Sequence, residues 1–208
     1  RNLGSGAYDG GMTQPTVLYG LTGGPFHWGH LSSYMTLSKG RGFRVLAVVA
    51  IGHQFKPHTI ATYLQRRKMA QNIVGDDAIP LEEYVLGFPN GTDDLDAIRA
   101  ALIKKGEPVM AIDMLRKVRE LMLEGKIEGD PNNLRFAIGP DVDVEIWTGI
   151  ELIRAEFGPN PFVQLPEVPG IRSTLIRANI AAGLPWEHMV PPGSAEVIKA
   201  ESMYGYKP

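Results

Sequence analysis

Two of the chain's five histidines, His27 and His30, stand three apart in the stretch GLTGGPFHWGHL, directly after the apolar run TVLY. Imidazoles at that spacing can share a metal, donate to a phosphate, or only cap the start of a helix. Zinc would need further ligands, and the chain has no cysteine and no Asp or Glu beside the pair. The glycines around the pair let a ligand come close to the backbone, and a helix beginning at His30 would present its amides to an anion. The stretch is neither a G-x-G-x-x-G turn nor a P-loop.

Two more stretches carry groups of the same kind. In IGPD, Asp141 follows an apolar run, where an acid can bind a ribose hydroxyl, although Gly-Pro-Asp is also a common turn. In GIRSTLIRANI, Ser173 or Thr174 would cap a helix. That leaves amides, two hydroxyls and Arg177 one turn along to meet a phosphate. Read alone, the same residues are an ordinary cap with a solvated arginine.

The elements that must position these groups alternate between strand and helix. Strands are expected at Thr16–Gly20, at FRVLAVVAIG (Phe43–Gly52), at EEYVLG (82–87), at Leu134–Gly139 and at PFVQLP. Helices are expected at HLSSYMTLSKG, TIATYLQRRKMAQNIV, TDDLDAIRAALIKKG, AIDMLRKVRELMLEG, EIWTGIELIRAEFG, STLIRANIAAG and SAEVIKAESMYG. Strands that are apolar throughout and separated by helices imply a parallel sheet covered on both faces. Ligands of such sheets bind beyond the carboxyl ends of the strands, where the strand order switches. The turn holding His27 and His30 lies at such an end.

With 208 residues, 44% hydrophobic and 21% charged, the chain is long enough for a real core. A net charge of −2 gives no whole-protein attraction to nucleic acid or to acidic membranes, so neither is an expected partner. Without cysteine there is no disulfide framework and no thiolate nucleophile. No apolar run reaches the ~18 residues of a membrane span and no signal-peptide pattern appears, so a cytoplasmic protein is expected. Residues 1–12, which lack periodicity, read as an extension, and 13–208 as a single domain.

The combination of TGGPFHWGHL near the first strand with IRSTLIR near the last resembles the nucleotidyltransferase superfamily. That superfamily is marked by a His-x-Gly-His turn and an Ile-Ser-Ser-Thr-x-x-Arg segment. Within it the chain is similar to the nicotinate/nicotinamide mononucleotide adenylyltransferases, from about Val17 to Tyr204. HQFKP stands where that family has a basic loop after its second strand. QRRKMA places Arg66 three before Met69, as the family's second helix does. AIDMLRKV retains Asp113 and Leu115 of a Tyr-Thr-x-Asp-Thr-Leu segment, and Gly139, Asp141 and Trp147 match a Gly-x-Asp followed by Trp. The chain departs from the family at Gly23-Gly24 before the motif proline, at Arg172 in place of a serine, at Ala111 and Met114 in place of two threonines, and in an inserted helix around 92–105.

The resemblance implies a Rossmann-like, doubly wound α/β fold: a five-stranded parallel sheet with helices on both faces and a helical C-terminal segment. The implied reaction moves an adenylyl group from ATP to nicotinic acid or nicotinamide mononucleotide and releases pyrophosphate. His27, His30, Arg177 and Lys56 would be catalytic. Gly20, Leu21, Thr22, Gly29, Gly139, Asp141, Ile171, Ser173, Thr174 and Arg177 would line the ATP site, and Lys56, Asp113 and Trp147 the mononucleotide site. Mg²⁺ would ride on the ATP phosphates, with no metal site made by the protein, and a homo-oligomer is compatible with the family. Two alternatives stay open. One is an adenylyl- or cytidylyltransferase acting on phosphopantetheine or an alcohol phosphate, and the other is a non-catalytic nucleotide-binding module.

Overall fold

A computed structural model describes residues 14–50, 61–81, 107–146 and 150–208, together with Val85, Ala97, Ala100 and Lys104. In chain order the elements are β1 (Thr16–Leu21), α1 (Trp28–Met35, running on as a wider turn through Thr36–Gly40), β2 (Arg44–Val49) and α2 (Tyr63–Val74). Next come β3 (Ala78–Ile79), α3 (Glu107–Leu123), β4 (Leu134–Ile138) and α4 (Ile150–Phe157). Then follow β5 (Phe162–Gln164), α5 (Ser173–Ala182) and α6 (Pro192–Ala200).

The five described strands form one parallel sheet in the order β3-β2-β1-β4-β5. β1 pairs on one side with β2, Thr16 opposite Arg44, and on the other with β4, Thr16 opposite Leu134. The chain therefore winds outward from β1 in one direction and then in the other, and the switch falls between β1 and β4.

Strand β1 shows why these runs are apolar throughout. Val17, Tyr19 and Leu21 point into one core layer with Val45, Ala47, Val49, Met69, Ile176 and Ile198. Leu18 points into the opposite layer with Leu46, Val48, Leu115, Val118 and Ile153. Helices α2, α5 and α6 thus contribute to one face, and α3 and α4 to the other. A strand buried on both faces has no polar positions to alternate with.

The doubly wound, two-faced parallel sheet agrees with the expectation from sequence, but the third strand does not. Leu81 and Val85 are helical, and both pack on the second core layer. Their spacing of four is a helical period, which the strand-forming composition of EEYVLG conceals. The strand itself is the two-residue pair Ala78–Ile79, bonded opposite Ala47 and Val48. The extension at 1–12 and most of the inserted segment at 92–105 lie outside the described residues, and Ala97, Ala100 and Lys104 are helical. Among the described residues no helix is long and apolar enough to cross a membrane.

Candidate active site

Beyond Leu21 the chain leaves the sheet in a tight turn. Gly23 has φ +63, and a β-carbon there would meet Leu21 Cδ1 at 3.0 Å. The Gly24–Pro25 peptide is cis, and residues 23 to 27 are all buried. Buried carbonyls need donors, and here donors from distant elements supply them. The Ala50 amide donates to the Leu21 carbonyl (2.9 Å). Arg66 Nη1 donates to Thr22 (2.8 Å) and Ala50 (2.5 Å), and its Nε to Ala61 (3.3 Å). Arg177 Nη1 donates to the Gly24 carbonyl (2.6 Å), Ser173 Oγ to Pro25 (3.5 Å) and Ser194 Oγ to Phe26 (2.8 Å). The turn is shaped from outside, by α2, α5 and α6.

The turn ends at the paired histidines. His27, not His30, is the N-cap of α1: its Nδ1 accepts from the Gly29 amide at 3.1 Å, and its side chain also caps the amide of His30. His30, the third helical residue, reciprocates, its Nδ1 accepting from the His27 amide at 3.2 Å. This is the two-way capping box usually built from Ser or Thr with Glu or Gln, made here from two imidazoles. The expectation that the helix begins at His30 is therefore corrected by two positions, to Trp28. Gly29 makes the arrangement fit, because a β-carbon there would lie 2.9 Å from two ring atoms of His27.

The caps also fix the chemistry of the rings. An imidazole whose Nδ1 accepts an amide proton carries its own proton on Nε2 when neutral. Burial pushes the His27 pKa down to about 4, so that ring is neutral near pH 7. The two rings stack with centroids 3.9 Å apart at 22°, and Phe26 lies 5.3 Å from His30. The Tyr19 hydroxyl, whose pKa burial pushes up to about 12, donates to the His30 carbonyl at 3.4 Å from beneath the helix. The result is a stacked pair of imidazoles at the end of β1, of which His27 is a neutral N–H donor.

Across the turn, α5 begins with Arg172 at the N-cap position, and no side chain caps it. Neither Ser173 nor Thr174 has the capping role expected from sequence. They are the first two helical residues, and their hydroxyls turn elsewhere: Ser173 to Pro25, and Thr174 to Arg177 Nη2, which donates to it at 3.4 Å. A capping side chain must precede the first turn to reach its amides, and these two lie inside it. Ile171 packs against the first core layer just before the helix.

Gly20 and Leu21 thus end β1, Thr22 opens the turn, Gly29 and His30 lie in the first turn of α1 behind His27, and hydrogen bonds bring Ser173 and Arg177 to the turn. Gly139 and Asp141 sit at the end of the neighbouring strand β4, where the Val142 amide closes a turn on the Gly139 carbonyl at 3.2 Å and Asp141 is exposed. Asp113 is half-buried on α3, which packs against the opposite face of the sheet, and its charge acts on Arg116. Ala111 and Met114, at the two threonine positions, are buried. Lys56 and Trp147 lie outside the described residues.

Sequence reading gives Arg66 no role, and Ser194 is absent from it. Arg66 is 1% exposed, in line with the buried Tyr63, Met69 and Ala70 on one face of α2. An arginine at a core position of an amphipathic helix was the available signal. A lone serine such as Ser194 offers none. Chemically the cluster consists of N–H donors, hydroxyls and a guanidinium, which suits an anion. Among the described residues no group of three His, Asp or Glu side chains could hold a metal.

No family model matches the chain, and no curated protein matches it in sequence. Solved structures do resemble it. A Vibrio parahaemolyticus chain described as a nicotinate-nucleotide adenylyltransferase is 22% identical, with a TM-score of 0.56 over 89% of this chain and 99% of that one. The nicotinic acid mononucleotide adenylyltransferase of Plasmodium falciparum, complexed with APC, is 13% identical, with a TM-score of 0.56 over 93% of this chain and 99% of that one. The chain therefore has the Rossmann-like fold of these two proteins across nearly its whole length.

Proposed function

We propose that the chain transfers the adenylyl group of ATP to nicotinic acid or nicotinamide mononucleotide. A 5′-phosphate oxygen of the mononucleotide attacks the α-phosphorus in line, the bond to the β-phosphate oxygen breaks, and pyrophosphate leaves. No protein nucleophile is needed, so catalysis rests on alignment and on donors aimed at developing charge. The observation that carries this reading is the mutual cap of His27 and His30. It holds two imidazole rings, each with its Nδ1 engaged, at the switch point of the sheet, with Arg177 across the turn.

In this reading the turn from Gly20 to Thr22 and the close backbone at Gly29 accommodate ATP, and His27 and His30 donate to its phosphates. Ser173, Thr174 and Arg177 hold the β- and γ-phosphates, with Ile171 leading into them. Gly139 and Asp141 face the ribose. Lys56 draws in both anionic substrates, while Asp113 and Trp147 belong to the mononucleotide side. Because His27 is neutral, Arg177 and Lys56 supply the protein's positive charge. Mg²⁺ on the triphosphate would screen its negative charge, which fits a donor set that binds phosphate oxygens rather than cations.

The test is pyrophosphate release on mixing ATP and Mg²⁺ with nicotinic acid mononucleotide, nicotinamide mononucleotide, phosphopantetheine and an alcohol phosphate in turn. Release with either pyridine nucleotide is expected. Release only with another acceptor would move the chain to a different branch of the superfamily, and ATP binding without release would make it a nucleotide-binding module. The Plasmodium protein's complex with APC supports the ATP half of the reading.

A further inference from the structure

Tyr204 follows α6 in the short turn Met203–Gly205, with φ 58 and ψ 23. The left-handed region is unfavourable for a bulky side chain, and such strain persists where the surroundings over-determine it, often beside a functional site. Here the ring is 7% exposed and belongs to the first core layer. Its hydroxyl is buried and has no hydrogen-bond partner among the described residues. It points at the turn, 3.8 Å from where a β-carbon on Gly24 would lie, with Arg66 Cδ 3.3 Å from the same point. Burial raises the hydroxyl's pKa above its ordinary value, against the opposing pull of Arg177 and then Arg66, so it remains a protonated donor.

The residue it approaches, Gly24, has a carbonyl that is already engaged. That buried carbonyl takes Arg177 Nη1 at 2.6 Å. Guanidinium grips phosphate best with two N–H groups in parallel. Turning both onto a phosphate would strip the carbonyl of its donor, and an unsatisfied buried carbonyl opposes the move. We propose that Tyr204 is a positioning residue whose hydroxyl takes over the Gly24 carbonyl when Arg177 turns to the triphosphate of the substrate. The proposal rests on the ATP-dependent reading above.

The test is binding of ATP and of tripolyphosphate by calorimetry, with no acceptor present, in Tyr204→Phe, Arg177→Ala and the double variant, with thermal unfolding followed in parallel. Tyr204→Phe is expected to weaken tripolyphosphate binding about tenfold in the otherwise native chain, and less than about twofold once Arg177 is already alanine. Gly24→Ala, whose β-carbon would lie 3.8 Å from the hydroxyl, is expected to give the same Arg177-dependent loss and stands in if Tyr204→Phe folds poorly. Equal weakening in both backgrounds, or none in the native one, overturns the proposal. A chain that binds tripolyphosphate with this coupling but adenylylates no mononucleotide keeps the Tyr204 role and removes the acceptor reading. A chain that binds neither ATP nor tripolyphosphate overturns both.

Discussion

His27 and His30 cap each other: His30 Nδ1 accepts from the His27 amide while the His27 ring caps the first turn that carries His30. The His27 ring is thereby held in a buried place where a proton is unwelcome. Unfolded, it titrates near 6.5; folded, near 4. A histidine with a lowered folded pKa contributes stability that is complete above pH 6.5 and is lost as pH falls from 6.5 towards 4. That loss is on the order of 3 kcal/mol across the window. Asn at position 27 can still cap the helix but does not titrate. The stability of the native chain should therefore fall across this window more steeply than that of His27→Asn, measured by urea unfolding at steps of pH. Parallel curves would mean that the ring is not neutralised by folding.

His30→Ala should lower kcat by ~10²-fold or more, with a much smaller change in mononucleotide binding, because its proposed partner is charge that develops in the transition state. Steady-state kinetics against both substrates check this. Near-normal turnover would remove His30 from the chemistry.

Gly29→Ala sets two effects against each other. Alanine is favoured over glycine inside a helix by about 1 kcal/mol. Its β-carbon, however, would sit 2.9 Å from the His27 ring and drive the ring off the helix end, a cap worth about 1 kcal/mol. The melting temperature should then move only a few degrees while turnover falls steeply. Full activity would show that the ring can shift without harm.

Arg66→Met keeps an unbranched stem of the side chain and deletes its donors. The carbonyls of Thr22 and Ala50, and Ala61 behind them, lose this guanidinium. At about 1–3 kcal/mol per stranded group, destabilisation of at least ~3 kcal/mol is expected, read as a lower urea midpoint at unchanged slope. A midpoint close to that of the native chain would mean that the turn finds other donors.

How much of this could be read in the sequence depends on how far apart the interacting residues lie. Strand β2 was legible because burial on both faces leaves an unbroken apolar run, as in Arg44–Val49, where every residue after Arg44 is buried, while β1, β4 and β5 were legible from shorter apolar stretches. β3, two residues long, leaves no pattern, and the aromatic and branched residues of EEYVLG draw the strand assignment downstream. The His-x-Gly-His spacing was legible as a site, but its helix start was not, since imidazole is an unusual cap. The carbonyl clamp was not legible at all. Arg66, Ser173, Arg177 and Ser194 meet residues 22 to 26 only through the tertiary fold, and hydrogen bonds to backbone carbonyls leave no side-chain signature at the accepting end.

That clamp also orders events in time. The donors to Thr22, Gly24, Pro25 and Phe26 lie 44, 153, 148 and 168 residues further along the chain. At translation rates of about 5–20 residues per second, Ser194 emerges roughly ten to thirty seconds after the carbonyl it will hold. During that interval a growing chain can pair β1 with β2, yet the bend beyond β1 has no fixed shape. On the proposed function, nascent chains stalled before α5 should therefore fail to capture nucleotide, and capture should begin only once synthesis has passed the last of these donors.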